Sequence, residues 1–208
     1  MPLHGIFFDL LANNKILDMI KRYLLAVPVF LVLLSACNGT GGKDSEKVAG
    51  KNNDQKADHS KALDTIEDDS KFVVKATSGV MMETKLGAYA AQNAVTPGVK
   101  AFGEKMVKDH SKDKVDLKKL AADKNITIPA KTGEDFQKHI DEITSKKGID
   151  FDKAYISFMV GDHKDDISEF EKEAKDGKDA DIKAFAAKDV PVLHHHLDMA
   201  KSLNDKLK

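Results

Sequence analysis

Three histidines and one glutamate stand at positions where a helical pattern should place apolar side chains. Glu83 falls between Val80 and Leu86, and His110 follows Met106 by one turn. His163 follows Met159 by one turn, and His196 falls between Leu193 and Ala200. Imidazole nitrogens with a carboxylate oxygen make a ligand set for a transition metal, and the ligand types admit Zn, Cu, Mn or Fe. The acids Asp109, Asp113, Asp162 and Asp166 are then candidates to orient the rings from behind. The reading favoured over the metal is a buried network without an ion, in which Glu83 accepts hydrogen bonds from one or two of the histidines and fixes the helix register, because buried polar groups are hydrogen-bonded far more often than they are metal-bound. Two of the histidines close a repeated motif, "MVKDH" (Met106 to His110) and "MVGDH" (Met159 to His163). Each copy has an aromatic residue four positions before its Met, Phe102 and Tyr155.

Other candidates are weaker. His194, His195 and His196 are consecutive, and neighbours on a helix point about 100° apart, so they cannot all grip one ion. His196 faces inward, with His194 at the edge of the stripe. Met81, Met82, Met106, Met159 and Met199 are soft copper ligands in principle, but Met at helical spacing reads first as core filling. No Ser-His-Asp or Cys-His arrangement is argued by position, and there is no Gly-rich phosphate loop or Cys-x-x-Cys. No complete catalytic set is present. The 33 Lys and Arg nearly balance the 34 Asp and Glu, and the one Arg, Arg22, lies near the N-terminus. Such a chain lacks the basic stripe that nucleic-acid binding needs.

The elements that must position these residues are helices. Phe72, Ala76, Val80, Leu86 and Ala90 predict a helix from about Phe72 to Ala94. "TPG" breaks it, with Thr96 as N-cap and Pro97 at the first helical position. A second helix turns Val99, Phe102, Met106, Leu117 and Leu120 inward and ends near Asn125. "ITIPAKTG" reads as extended connection, followed by a short helix "EDFQKHIDEITSKK" closed by Gly148. A third long helix runs from about Phe151 to Lys175, with Tyr155, Met159, Ile167 and Phe170 inward. A fourth starts near Asp179, buries Ile182, Phe185, Leu193, Leu197 and Leu203, and should kink at Pro191. "VKAFGEK" (Val99 to Lys105) is echoed by "IKAFAAK" (Ile182 to Lys188), which suggests two hairpins of common design. Counting from the turns at Thr96 and Gly177 puts Glu83, His110 and His163 at about the same height, about 20 Å along the helices. His196 lies about five residues too far by the same count.

The front of the chain carries different information. From Met19, "MIKRYLLAVPVFLVLLSAC" has a short basic region and an apolar core, which reads as a secretory signal rather than a membrane span. Residues 1–36 are therefore assigned to a signal peptide, with 1–18 attributed to a start codon placed too early. Leu34-Ser35-Ala36-Cys37 looks like a bacterial lipobox, which assigns the single cysteine, Cys37, to lipidation and leaves none for a disulfide. Residues 37–69 have almost nothing to bury and are expected to be a disordered tether. Residues 70–208 form the folded domain. Asn38 after the cysteine favours the outer membrane facing the periplasm.

The segments "METKLGAYAAQNAVTPGVKAFGEKMVKDH", "FDKAYISFMVGDH" and "IKAFAAKDVPVLHHHLDMAKSL" resemble a bacterial envelope family, domain of unknown function 4142. The resemblance covers nearly all of residues 70–207. It implies an all-α, ferritin-like four-helix bundle of two helical hairpins, joined by one long crossover that contains a short helix. It implies an envelope location and no established activity. The ligand pattern departs from the di-iron arrangement of ferritin-like bundles, because no Glu-x-x-His faces inward; His110-x-x-Asp113 and His163-x-x-Asp166 reverse the order. The expected role is that of a non-enzymatic lipoprotein, held to the bilayer through acylated Cys37, that binds an envelope protein or supports envelope maintenance. The alternative expectation is a transition-metal-binding bundle that handles metal or oxidants through Glu83, His110, His163 and His196.

Overall fold

The computed structural model describes residues 44–58 and 67–208. The signal peptide, the lipobox with Cys37, and His59 lie outside the described residues. Among the described residues there are six helices and no strand: α1 (Ser45–Asp58), α2 (Glu67–Asn93), α3 (Pro97–Asp123), α4 (Glu134–Ser145), α5 (Gly148–Asp176) and α6 (Ala180–Leu207).

The closest packing is within two pairs, α2 with α3 and α5 with α6, each joined by a loop of three residues. Loops that short force the two helices of a pair to run antiparallel. The pairs then meet through α2 against α5 and α3 against α6, and α4 lies across α2 and α5. The result is a helical bundle. The α2–α3 contact is close because Gly87 and Gly103 face each other: a Cβ on Gly103 would sit 2.6 Å from the Gly87 carbonyl oxygen.

Nearly every inward residue expected from periodicity is buried; Leu120 and Leu203 are partly so. The apolar residues fall into two clusters. One holds Phe72, Val80, Leu117, Ile167, Phe170, Phe185 and Leu193. The other holds Leu86, Ala90, Phe102, Met106, Phe151, Tyr155 and Met159. Met82, Met106 and Met159 are fully buried in this second cluster, as core filling requires.

Buried acids pin the loops. Asp152, on α5, accepts hydrogen bonds from the amides of Val95 at 3.2 Å and Thr96 at 2.7 Å. Thr96 is the N-cap residue, as expected, but its side chain makes no capping bond. At the other end Asp69, on α2, accepts from the amide of Lys178 at 3.0 Å and also from that of Asp179. Asp179 in turn caps α6, accepting from Asp181 and Ile182. Gly148 does not close the short helix: α4 ends at Ser145, and Gly148 at φ +56 opens α5. Helix α6 continues through Pro191.

The largest departure from expectation is α1. Residues 45–58 were assigned to a disordered tether, yet they form a helix laid on the crossover. Asn53 explains how a segment with so little to bury is held. Its amide donates to the Thr127 carbonyl at 3.0 Å, and its oxygen accepts from the Thr127 amide at 2.7 Å. Lys56 donates to the Asn125 carbonyl and the Thr127 hydroxyl. Ser45 accepts from the Ala130 amide. The extended crossover has backbone groups that need partners, and α1 supplies them. Composition misjudged this segment because it is fixed by polar pairing, with Ala49 buried and Val48 exposed.

Asn53→Ala should strip both bonds from Thr127, at about 1–3 kcal/mol for the stranded groups. Hydrogen exchange should then accelerate across residues 45–58 while protection in α2, α3, α5 and α6 stays as in the wild type. Unchanged exchange in α1 would refute the assignment.

Candidate metal centre

Among the buried polar side chains, one from each long helix arrives in a common layer. Glu83 and His110 are 2 % exposed, and His163 and His196 are fully buried. Ring centroids stand 5.2 Å apart for His110 and His196, 5.5 Å for His163 and His196, and 6.3 Å for His110 and His163. One nitrogen of each histidine lies within 4.8 Å of the corresponding nitrogens of the other two. His196 reaches the layer although residue counting placed it about five residues, or about 7.5 Å, too far. Cβ atoms tilt toward the helix N-terminus. On α6 that tilt carries the ring back toward Gly177, and on α5 it carries His163 away from Gly177, so the difference in height shrinks.

The layer divides the core. Residues of α2 before Glu83 and of α3 after His110 belong mainly to one apolar cluster, and those on the other side belong to the second. The same change of cluster occurs at His163 and His196.

The contacts within the layer are not those of a completed hydrogen-bond network. His110 Nε2 lies 3.4 Å from Glu83 Oε2, and His163 Nε2 lies 3.5 Å from Glu83 Oε1. A charge-assisted hydrogen bond is shorter, about 2.7–2.9 Å. Glu83 Oε1, His110 Nε2, both ring nitrogens of His163, and His196 Nδ1 are buried with no hydrogen-bond partner. The remaining nitrogens of two histidines are engaged: His110 Nδ1 with Asp113 at 3.1 Å, and His196 Nε2 with Asp109 at 3.0 Å. Asp109 also accepts from Lys105. A carboxylate that holds one ring nitrogen fixes the tautomer and leaves the other nitrogen a free lone pair.

The two copies of the opening motif thus share the layer but differ behind it. Asp113 serves His110 from three residues on. Asp166, at the same spacing, leaves both nitrogens of His163 without a partner. Asp162 instead offers a carboxylate oxygen near Glu83 and His163, and its Oδ2 is buried without a partner. Asp109, in the corresponding place, reaches across to α6. His194 does not face inward: its side chain is 52 % exposed and lies 3.4 Å from Glu171. His195 is exposed.

Burial governs the protonation states. It holds the His163 imidazole down to about 3, with the His110 and His196 rings adding to the effect. It holds His196 down to about 4, against the opposing hydrogen bond to Asp109. Both rings are therefore neutral at ordinary pH, the form that can ligate a cation. Burial pushes Glu83 far up, and the nearby Asp166, Asp162 and Asp113 push it further. Burial acts upward on Asp109 too, but the hydrogen bonds from Lys105 and His196 outweigh it and bring the group to about 2. Asp166 is raised to about 7 by burial and Glu169. A cluster of acids around a buried carboxylate is an environment that a cation relieves.

A family described as Domain of unknown function (DUF4142) matches residues 53–203. No curated protein and no solved structure matches the chain.

Asp189, beside this acidic corner, gives a test in the metal-free domain. Burial first, then Asp113, raise its carboxyl to about 7; Lys188 opposes them and Asp116 adds to them. A carboxyl raised on folding contributes stability that is fully present below its unfolded value and is lost as pH rises through about 7. Asp189→Asn removes that loss. Thermal melts should show the variant gaining on the wild type between pH 4 and pH 8, with the gap widest at pH 8. A pH-independent difference would mean that Asp189 does not titrate in this range.

Proposed function

We propose that this chain, which belongs to the family Domain of unknown function (DUF4142), binds one transition-metal ion in its helical core and carries it at the cell envelope. Glu83 supplies a carboxylate oxygen, His110 and His163 supply Nε2, and His196 supplies Nδ1. The observation that carries this reading is a layer of buried atoms without hydrogen-bond partners: Glu83 Oε1, His110 Nε2, both His163 nitrogens and His196 Nδ1. In it one nitrogen of each histidine lies within 4.8 Å of the other two. His163 Nε2 stands 3.5 Å from Glu83 Oε1, and His110 Nε2 stands 3.4 Å from the other Glu83 oxygen. Metal–nitrogen and metal–oxygen bonds of about 2.0–2.1 Å in a tetrahedral site put neighbouring ligand atoms about 3.4 Å apart. That spacing is too long for a good hydrogen bond and right for two ligands of one ion. The metal-free network is the lesser reading for the same reason, since it leaves most of its own polar atoms unsatisfied.

Three imidazoles and one carboxylate suit Zn, Cu, Mn or Fe, and nothing in the ligand set needs a second ion. The pairing of two short-looped hairpins through one long crossover supports a ferritin-like bundle, although the ligands are not the di-iron set. Asp113 and Asp109 orient His110 and His196, so Asp109→Asn should weaken metal binding about ten- to hundredfold.

The lipobox-like Leu34-Ser35-Ala36-Cys37 supports anchoring through an acylated Cys37. With α1 joined to the bundle, the tether shortens. Seven residues, 38 to 44, separate Cys37 from α1. They reach at most about 25 Å at about 3.5 Å each, so the metal would be held close to the bilayer surface. Cys37→Ser should move the protein from the membrane fraction to the soluble fraction, and unchanged fractionation would rule the anchor out.

The untagged full chain, purified in detergent and incubated in turn with Zn, Cu, Mn and Fe, should retain about one equivalent of at least one metal by mass spectrometry of the elements. His110→Ala and Glu83→Ala should lose it. A wild-type protein that stays metal-free with all four ends the proposal.

A further inference from the structure

The four-residue layer is not closed on all sides. A cavity of about 20 Å³ lies against it, with Glu83 and His110 in its lining. His163 and His196 do not line it. A space needs roughly 10–15 Å³ on this measure to hold one water, so the cavity admits a water or a slightly larger molecule. Gly79 on α2 and Val192 on α6, both half-buried, line the same cavity from two helices. A Cβ added at Gly79 would meet nothing within 4 Å.

The lining also carries a charge pattern. Asp113, Asp166 and Asp189 join Glu83 in it, and no Lys or Arg among the described residues does. With no cationic side chain of the described residues in the lining, nothing in the space would pair with an anion. The walls are otherwise apolar side chains and offer no anchor for a larger polar substrate.

We propose that the metal held by Glu83, His110, His163 and His196 expands from four ligands to five on the side of this cavity, and that the fifth position takes an uncharged inorganic ligand of one or two non-hydrogen atoms, of the size of water or hydrogen peroxide. This inference rests on the metal reading above. It makes the centre one that meets small molecules instead of one that only staples four helices, since a structural site is closed by its protein ligands and a reactive one takes a small molecule as well. Organic substrates are excluded by volume, and small anions find no cationic partner in the lining.

The test uses the untagged full chain in detergent, loaded with one equivalent of Cu(II), with water as the probe. Water-proton relaxation should show an exchanging water on the copper. Gly79→Leu, which replaces a helix-weakening residue and grows into free space, should lose that contribution while keeping the copper stoichiometry of the wild type. Val192→Phe fills the cavity from α6 and should do the same, so the result does not depend on one variant folding. Tightly bound copper with only outer-sphere relaxation in the wild type would overturn the fifth position and leave the metal site standing. Exchange that persists in both folded variants would overturn the cavity as its route. A wild type that takes up no copper and no other metal would overturn the metal reading and this inference with it.

Discussion

Four polar side chains buried in one layer must find partners there, and the rest of the architecture follows from that requirement. Leaving a buried donor or acceptor unsatisfied costs about 1–3 kcal/mol, and a domain of this size is stable by only about 5–15 kcal/mol. Glu83, His110, His163 and His196 leave five ring or carboxylate atoms unpaired among themselves. So many open groups in one place are hard to reconcile with a purely structural role. The proposed cation would satisfy four of them and offset the surrounding acids together. It also explains why each of two histidines has its outer nitrogen held by an aspartate.

The layer depends on helices that cannot slide. Asp152 and Asp69 hold opposite ends of the bundle by binding the amides of the two short loops, each from a helix of the other pair. Gly87 against Gly103 fixes how near α2 comes to α3. Apolar packing above and below the layer does the rest, because a shift of one residue on any helix would turn its ligand about 100° away from the centre. The cost of burying the polar layer is therefore spread over the two clusters that flank it.

The helical phase of the sequence was enough to find Glu83, His110, His163 and His196, because each interrupts an apolar stripe that is otherwise continuous. Spacing within one helix also found Asp113, three residues after His110. What lay across helices was not legible. Asp109 could not be matched to His196 from sequence, since the pair is 87 residues apart. Asp69 and Asp152 read as ordinary acids near helix starts, although each is buried against a loop that sequence leaves far away. Helix α1 was missed for a different reason. Hydropathy reports only what a segment can bury, and α1 is held by the hydrogen bonds of Asn53, Lys56 and Ser45 to the crossover. His194 was placed at the stripe edge by its position beside Leu193, and the structure turns it out to Glu171.

The claim that joins these observations is that Glu83, His110, His163 and His196 bind one ion together. X-ray absorption on the zinc-loaded full chain tests it most directly. The account predicts a nitrogen and oxygen shell at about 2.0–2.1 Å with the multiple scattering of three imidazoles. That imidazole signal should drop by one ring in His196→Ala, the histidine that sequence counting placed out of reach. A spectrum of oxygen ligands with one imidazole or none, unchanged in the variant, would contradict it.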